Sequence, residues 1–152
     1  MEKTPATLRA RALRLLSMRD YSRRELQRKL AEHEVESGSL LRLLDQLEAQ
    51  GLVNDERVLE SLLHSRASRF GAKRLQQDLL TKGLPAAAVS AAVSELQGSE
   101  LARAKAVWQK RFGAAPGNLR ERARQSRFLA TRGFSGDIIR QVLGLPADEW
   151  PS

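Results

Sequence analysis

Cysteine is absent from this 152-residue chain, which removes disulfides, thiolate nucleophiles and thiolate metal ligands together. The absence is compatible with a reducing cytosol. Histidine occurs only twice, at His33 and His64, with no second ligand at His-x-x-x-His or similar spacing. Both read as surface or helix-end residues, and neither a metal nor a cofactor is expected. No run of 18 apolar residues exists, so no membrane span is expected. Residues 1–9 lack the apolar core of a secretory signal, and a cytoplasmic protein is expected. There is no Gly-rich phosphate loop, since Gly71-Ala72-Lys73 lacks the spacing, and no Gly-x-Ser-x-Gly elbow. Glu32, Glu34 and Glu36 form a short acidic run that reads as solvated charge rather than a paired-carboxylate site. Nothing here argues for catalysis, and the chain is not expected to be an enzyme. Aromatics are scarce too, with four Phe, two Trp and one Tyr.

What the chain has is positive charge, unevenly spread. It carries 26 Lys and Arg against 18 Asp and Glu, a net +8. Residues 101–132 hold nine bases and one acid, Glu121, a local balance of +8. Residues 9–29 hold eight bases and two acids, a balance of +6. Residues 66–74 carry Arg66, Arg69, Lys73 and Arg74 with no acid. Clustered bases on a cationic chain are the electrostatic footprint of a polyanion binder.

The chain also repeats itself. Thr81-Lys82-Gly83-Leu84 and Thr131-Arg132-Gly133-Phe134 lie 50 positions apart, and Leu79, Val89 and Val93 fall on Leu129, Ile139 and Leu143 at that spacing. At a spacing of 49, Tyr21, Leu26 and Leu30 fall on Phe70, Leu75 and Leu79, while Leu40, Leu44 and Leu47 fall on Val89, Val93 and Leu96. Glu34 stands where the later copies have Gly83 and Gly133. A period of this size points to stacked supersecondary units, which commonly present extended binding surfaces.

Nine helices can be read, three per copy, with no sustained strand-like alternation. Ser22 with Glu25 has capping-box spacing and opens a second helix over 23–33. Asn54 or Asp55, Ser99, Asn118 and Ser135 are read as N-caps, and Gly51, Gly83, Gly133 and Gly144 as stops. The seventh helix is read as carrying Ala102, Ala106 and Trp108 toward Phe112. The expected architecture is all-α: three tandem three-helix repeats over 6–50, 54–97 and 99–144, and a loose tail over 145–152. Units this small cannot bury a large core alone, so they must lean on each other in an elongated, curved and somewhat flexible array.

The candidate site residues are all basic. Arg66 and Arg69 close one predicted helix while Lys73 and Arg74 open the next, converging on the turn at Phe70-Gly71. The helix dipole favours cations at a C-terminus, which accounts for Arg66 and Arg69 but not for Lys73 and Arg74. Arg120, Arg124 and Arg127 share a helix face by their spacing. Phe70 falls on Tyr21 in the repeat, and Trp108, Phe128 and Phe134 lie on apolar faces, so packing rather than base stacking is expected of them.

Several ordered pieces resemble a known family. Gly51-Leu52-Val53-Asn54-Asp55-Glu56-Arg57, Ser65-Arg66, Phe70-Gly71-Ala72-Lys73-Arg74-Leu75, Leu79 and Lys82-Gly83-Leu84 resemble the central signature of the RecX family. Tyr21-Ser22-Arg23-Arg24-Glu25-Leu26 with Leu30 resembles its first repeat; Phe128-Leu129 and Arg132-Gly133-Phe134 resemble its third. The resemblance spans roughly residues 8–144. Val58-Leu59, where the family more often has Phe then Ala, and Glu34 are its departures. The resemblance implies three three-helix repeats and a non-enzymatic regulator, mainly an inhibitor, of the RecA recombinase in DNA repair, recombination and the SOS response. Such a regulator binds in the groove of the RecA–DNA filament and limits ATPase activity, strand exchange and filament growth. On that reading Arg23, Arg24, Arg66, Arg69, Lys73 and Arg74 line the surface facing filament and DNA, single- or double-stranded, and Arg120, Arg124 and Arg127 support it. Nothing calls for a dimer, so a monomer is expected. The alternative is a helical DNA-binding protein acting alone, such as a transcriptional regulator, since three short helices can imitate a helix-turn-helix.

Overall fold

The computed structural model describes residues 6–144; the expected tail at 145–152 lies outside the described residues. Among these there are nine α-helices and two single 3-10 turns, and no strand. The helices are α1 (Leu8–Met18), α2 (Arg23–Leu30), α3 (Ser39–Ala49), α4 (Asp55–Arg66), α5 (Ala72–Thr81), α6 (Ala86–Glu95), α7 (Glu100–Arg111), α8 (Leu119–Thr131) and α9 (Gly136–Leu143). By its contacts the chain divides into two units, one of residues up to Ser61 with Thr81–Leu84, the other of Leu62–Leu80 with Pro85 onward.

Eight residues of α2 make barely two turns, too short to hold as a helix in isolation. Capping and packing hold it. Ser22 Oγ accepts the Glu25 N–H at 3.1 Å and Glu25 Oε1 accepts the Ser22 N–H at 3.1 Å, a closed capping box. Only Leu26 and Leu30 among its residues are apolar, four apart on one face, and both are buried. They join Ala12, Tyr21, Leu40, Leu43, Leu44 and Leu47 in the core of the first unit. The second unit repeats the scheme around Ala104, Leu129, Phe134, Ile139 and Leu143, with Val107, Trp108 and Phe128 packed against it. Leu30, Leu79 and Leu129, aligned by the repeat, are each at most 1% exposed.

The seventh helix departs from the sequence reading at its cap, and its inward face was not legible. In α7 the buried residues are Glu100 and Ala104, whereas Ala102 and Ala106 are exposed; an alanine-rich helix offers too little contrast for its face to be read from periodicity. Ser99 precedes α7 but makes no side-chain cap. Its Oγ donates to Leu96 O at 2.9 Å and accepts from Arg103 Nε at 3.1 Å. Asn54, Asn118 and Ser135 do cap, each accepting the N–H three residues on.

The repeated Thr-Lys/Arg-Gly phrase forms a joint. A helix leaves its last carbonyls without partners. Those of α5 are met by the opening of α2: Ser22 Oγ donates to Lys82 O at 2.6 Å, and Arg28 Nη1 donates to Thr81 O at 3.2 Å. Those of α8 are met by the opening of α5: the Gly71 N–H donates to Arg132 O at 2.8 Å, and Arg74 Nη1 to Thr131 O at 3.2 Å. Both approaches are too close for a side chain. Gly83 has φ +79° and a Cβ there would fall 2.6 Å from Arg24 Cβ; Gly133 has φ +91° and its Cβ would fall 2.2 Å from Arg74 Cβ. Glu34 fits its position because the backbone there is extended, with φ −76°, and needs no glycine. It caps α3 instead, accepting the Leu40 N–H at 2.8 Å.

Glu25 ties the first joint electrostatically. Burial works to raise its carboxyl pKa, but hydrogen bonds from Arg19 and the Ser22 N–H, with the charges of Arg19 and Lys82, outweigh it and hold the group below its ordinary 4.5. A depressed carboxyl contributes stability that is complete above its unfolded-state pKa and is lost as pH falls through the folded one. Urea unfolding from about pH 6 down to about pH 3 is expected to show a steeper loss of stability in the parent chain than in Glu25→Gln; equal slopes would remove Glu25 from the acid response. Gly133→Ala is expected to destabilise by roughly 3 kcal/mol or more, combining left-handed strain with overpacking. Gly51→Ala, where φ is +75° but nothing lies within 4 Å, is expected to lose about 1 kcal/mol. Equal losses at the two positions would show that the joint tolerates a Cβ.

Candidate polyanion-binding site

Asp and Glu side chains decide which bases are available. Arg23 is taken: Nη1 contacts Asp45 Oδ1 and Glu48 Oε1, each at 2.8 Å, and the bond to Glu48, aided by Asp45, holds its pKa above the ordinary arginine value despite partial burial. Its backbone N–H donates to Asp55 Oδ1 at 3.0 Å. Arg66 and Arg74 share Asp78, at 3.1 and 3.5 Å. Arg124 contacts Glu121 at 3.2 Å. Arg24, Arg69, Lys73, Arg120 and Arg127 are exposed, and no acid pairs with any of them among the described residues. Arg24 has its stem pressed against Gly83.

The second unit brings Arg69 and Arg74 together over Phe70, with guanidinium carbons 5.3 and 4.7 Å from the ring centroid. Arg132 joins them at 5.5 Å. The ring is half-buried under three guanidinium groups, an arrangement in which aromatic quadrupole and cation attract. Tyr21, its repeat partner, is 7% exposed and carries Arg19 at 3.6 Å. Both aromatics are therefore part of the packing, as their alignment suggests. Beside this cluster opens a groove of about 470 Å³. Arg69, Lys110, Arg111 and Arg132 line it above Val107 and Phe128, and no acid lines it. Lys110, Arg111 and Arg132 are absent from the sequence-derived site. The first two belong to the +8 stretch, whose facing could not be read from a weak apolar pattern; Arg132 lies in the repeated phrase and reads there as structural. Arg120 and Arg127 lie on α8 and do not line this groove.

The turn below the cluster is held from α7. Arg103 Nη1 donates to Ala67 O and Phe70 O, both at 2.7 Å, and Glu100 Oε1 accepts the Ala72 N–H at 3.4 Å. Burial lowers the Arg103 pKa and the charge of Glu100 acts in the opposite direction; a guanidinium stays charged at neutral pH regardless. Arg103→Met leaves two carbonyls without their donor and is expected to destabilise by about 2 kcal/mol, with Arg103→Lys recovering part of it. Urea unfolding checks this, and a loss under about 0.5 kcal/mol would show that water replaces the clamp.

Among the described residues no group of His, Cys, Asp or Glu could hold a metal ion, and no helix is long and apolar enough to cross a membrane.

The fold defines the chain as a tandem of three-helix domains. Family models for the first, second and third three-helix domains of RecX match residues 9–47, 54–93 and 99–143. Regulatory protein RecX of Leptothrix cholodnii is 46% identical over 143 residues, covering 94% of this chain and 91% of that protein. Its counterpart in Ralstonia nicotianae is 45% identical, covering 94% and 90%. The crystal structure of RecX from Lactobacillus salivarius superposes with a TM-score of 0.74 at 22% identity, covering 90% of this chain and 92% of that one. This chain belongs to the RecX family of regulatory proteins.

Proposed function

We propose that this protein is a cytoplasmic modulator, mainly an inhibitor, of the RecA recombinase. It binds in the groove of the RecA–DNA filament and limits ATP hydrolysis, strand exchange and filament growth. Membership of the RecX family across all three domains supports this reading most strongly. Bases with no internal acid partner supply the means, because a polyanionic filament can neutralise what the chain cannot. Arg24, Arg69, Lys73, Arg120 and Arg127 are the members of the proposed surface that remain available; Arg23, Arg66, Arg74 and Arg124 contribute through the positions their ion pairs fix.

The test is recombinase ATPase activity on single-stranded DNA. Inhibition is expected at substoichiometric amounts of this protein, whereas a DNA binder acting alone would inhibit only in enough excess to coat the DNA. Arg69→Glu combined with Lys73→Glu alters two exposed side chains and is expected to raise the half-inhibiting concentration at least tenfold with an unchanged melting temperature. Inhibition at the parental concentration would remove this patch from the interface.

A further inference from the structure

A second groove lies between α1 and α2 in the first unit. Arg11, Arg14 and Lys29 line it with His33, over Leu15 and Leu30, enclosing about 170 Å³. No acid pairs with the three permanent cations among the described residues. The Glu32 carboxylate lies 3.4 Å from His33 Nε2 and is largely exposed.

The repeat gives this groove its meaning. Ala12 and Ala104 are both fully buried on the first helix of their domains, and Leu30 and Leu129 are the aligned buried leucines of the second helix. In that register Arg14, Leu15, Lys29 and His33 fall on Ala106, Val107, Phe128 and Arg132, all four of which line the groove of the second unit. The same helix–helix crevice is thus cationic in the first and third domains, built from different residues. In the middle domain the position of Lys29 and Phe128 is taken by Asp78, and Asp78 receives Arg66 of α4 at 3.1 Å and Arg74 at 3.5 Å. That domain carries its own anion in the crevice. The first domain places cations there and supplies no anion.

We propose that the α1–α2 crevice of the first domain is a binding site for the phosphate backbone of a nucleic-acid strand. Arg11 and Arg14 sit one turn apart on α1, and Lys29 near the end of α2 is followed by His33 in the next 3-10 turn, so each pair can meet neighbouring phosphates. The crevice is small and has no aromatic floor, which suits a phosphate better than an apolar side chain of an acidic peptide. The inference rests on the polyanion part of the proposed function, but its test contains no recombinase, so the two readings fail separately.

The experiment measures binding of a fluorescein-labelled oligo-dT strand by anisotropy at several salt concentrations, using the full chain. Arg14→Glu with Lys29→Glu is expected to weaken binding at least tenfold, and the neutral pair Arg14→Gln with Lys29→Gln to lower the log–log salt slope by about 1.4, two contacts at about 0.7 each. Unchanged affinity and slope in a variant that melts like the parent would overturn the site, as would unchanged DNA binding accompanied by lost binding of poly-glutamate. If either pair fails to fold, side-chain NMR of the parent chain decides: oligo-dT is expected to shift the Arg14 and Lys29 signals, and their silence at saturating DNA would overturn the proposal.

Discussion

Two helices of this chain end against the opening turn of a helix from the preceding domain. A domain of this size has little core of its own, and each helix end leaves carbonyls that must find donors. One contact answers both needs. Ser22 and Arg28 close the end of α5, and Gly71 and Arg74 close the end of α8. Each bond is worth about 1 kcal/mol net, and the part-buried Lys82 carbonyl would cost more unpaired than its bond returns. That asymmetry fixes the joint. The two glycines are required at the second and third copies because a neighbouring domain's backbone and side-chain stem occupy the space a Cβ would need.

The joints also sort the charges. With 26 bases and 18 acids, a surplus must remain even if every acid finds a partner. The acids are not spread evenly over that task. Asp20 holds Arg57, Asp45 and Glu48 share Arg23, Glu25 serves Arg19 and Lys82, and Asp78 serves Arg66 and Arg74. Several acids thus fix the bases nearest the joints. The surplus is left on α1 and α2 and on the α7–α8 side of the third domain. Exposed pairs contribute little to stability one by one, so the structural value of these pairings lies in setting side-chain positions, and their functional value lies in what they leave unpaired.

Much of this was legible in the chain. The all-helical class, the period near 50 and the capping box at Ser22–Glu25 follow from local rules: apolar spacing, side-chain acceptors and glycine stops. The family resemblance was carried by ordered motifs at those same positions. What stayed hidden depends on long-range pairing. Arg23, Arg66 and Arg74 look as available as Arg69 or Lys73 in sequence, because the acids that claim Arg23 and Arg66 come from elsewhere in the chain. The inward face of α7 was not legible because alanine is tolerated on both sides of a helix, and only packing singled out Ala104. Arg103 gave no signal at all; its role is defined by two carbonyls more than 30 positions away.

Aligned positions show why one fold can carry different surfaces. Leu30, Leu79 and Leu129 are interchangeable because each fills the same buried space. The residue just before each of them is Lys29, Asp78 or Phe128: a cation, an anion and an aromatic at one site. Packing constrains the first set, since a polar or smaller side chain there would lose about 2–5 kcal/mol. The second set is constrained less uniformly: Lys29 is exposed and Asp78 half-buried, whereas Phe128 still packs against the core of the second unit. Where the position is exposed, as at Lys29, a charge changes what the crevice attracts without disturbing the leucine beneath it. In the middle domain Asp78 stands at that position and pairs with Arg66 and Arg74, and in its neighbours the groove is lined by cations. Duplication supplied three copies of one scaffold, and the groove rims are where its physical chemistry allows them to differ.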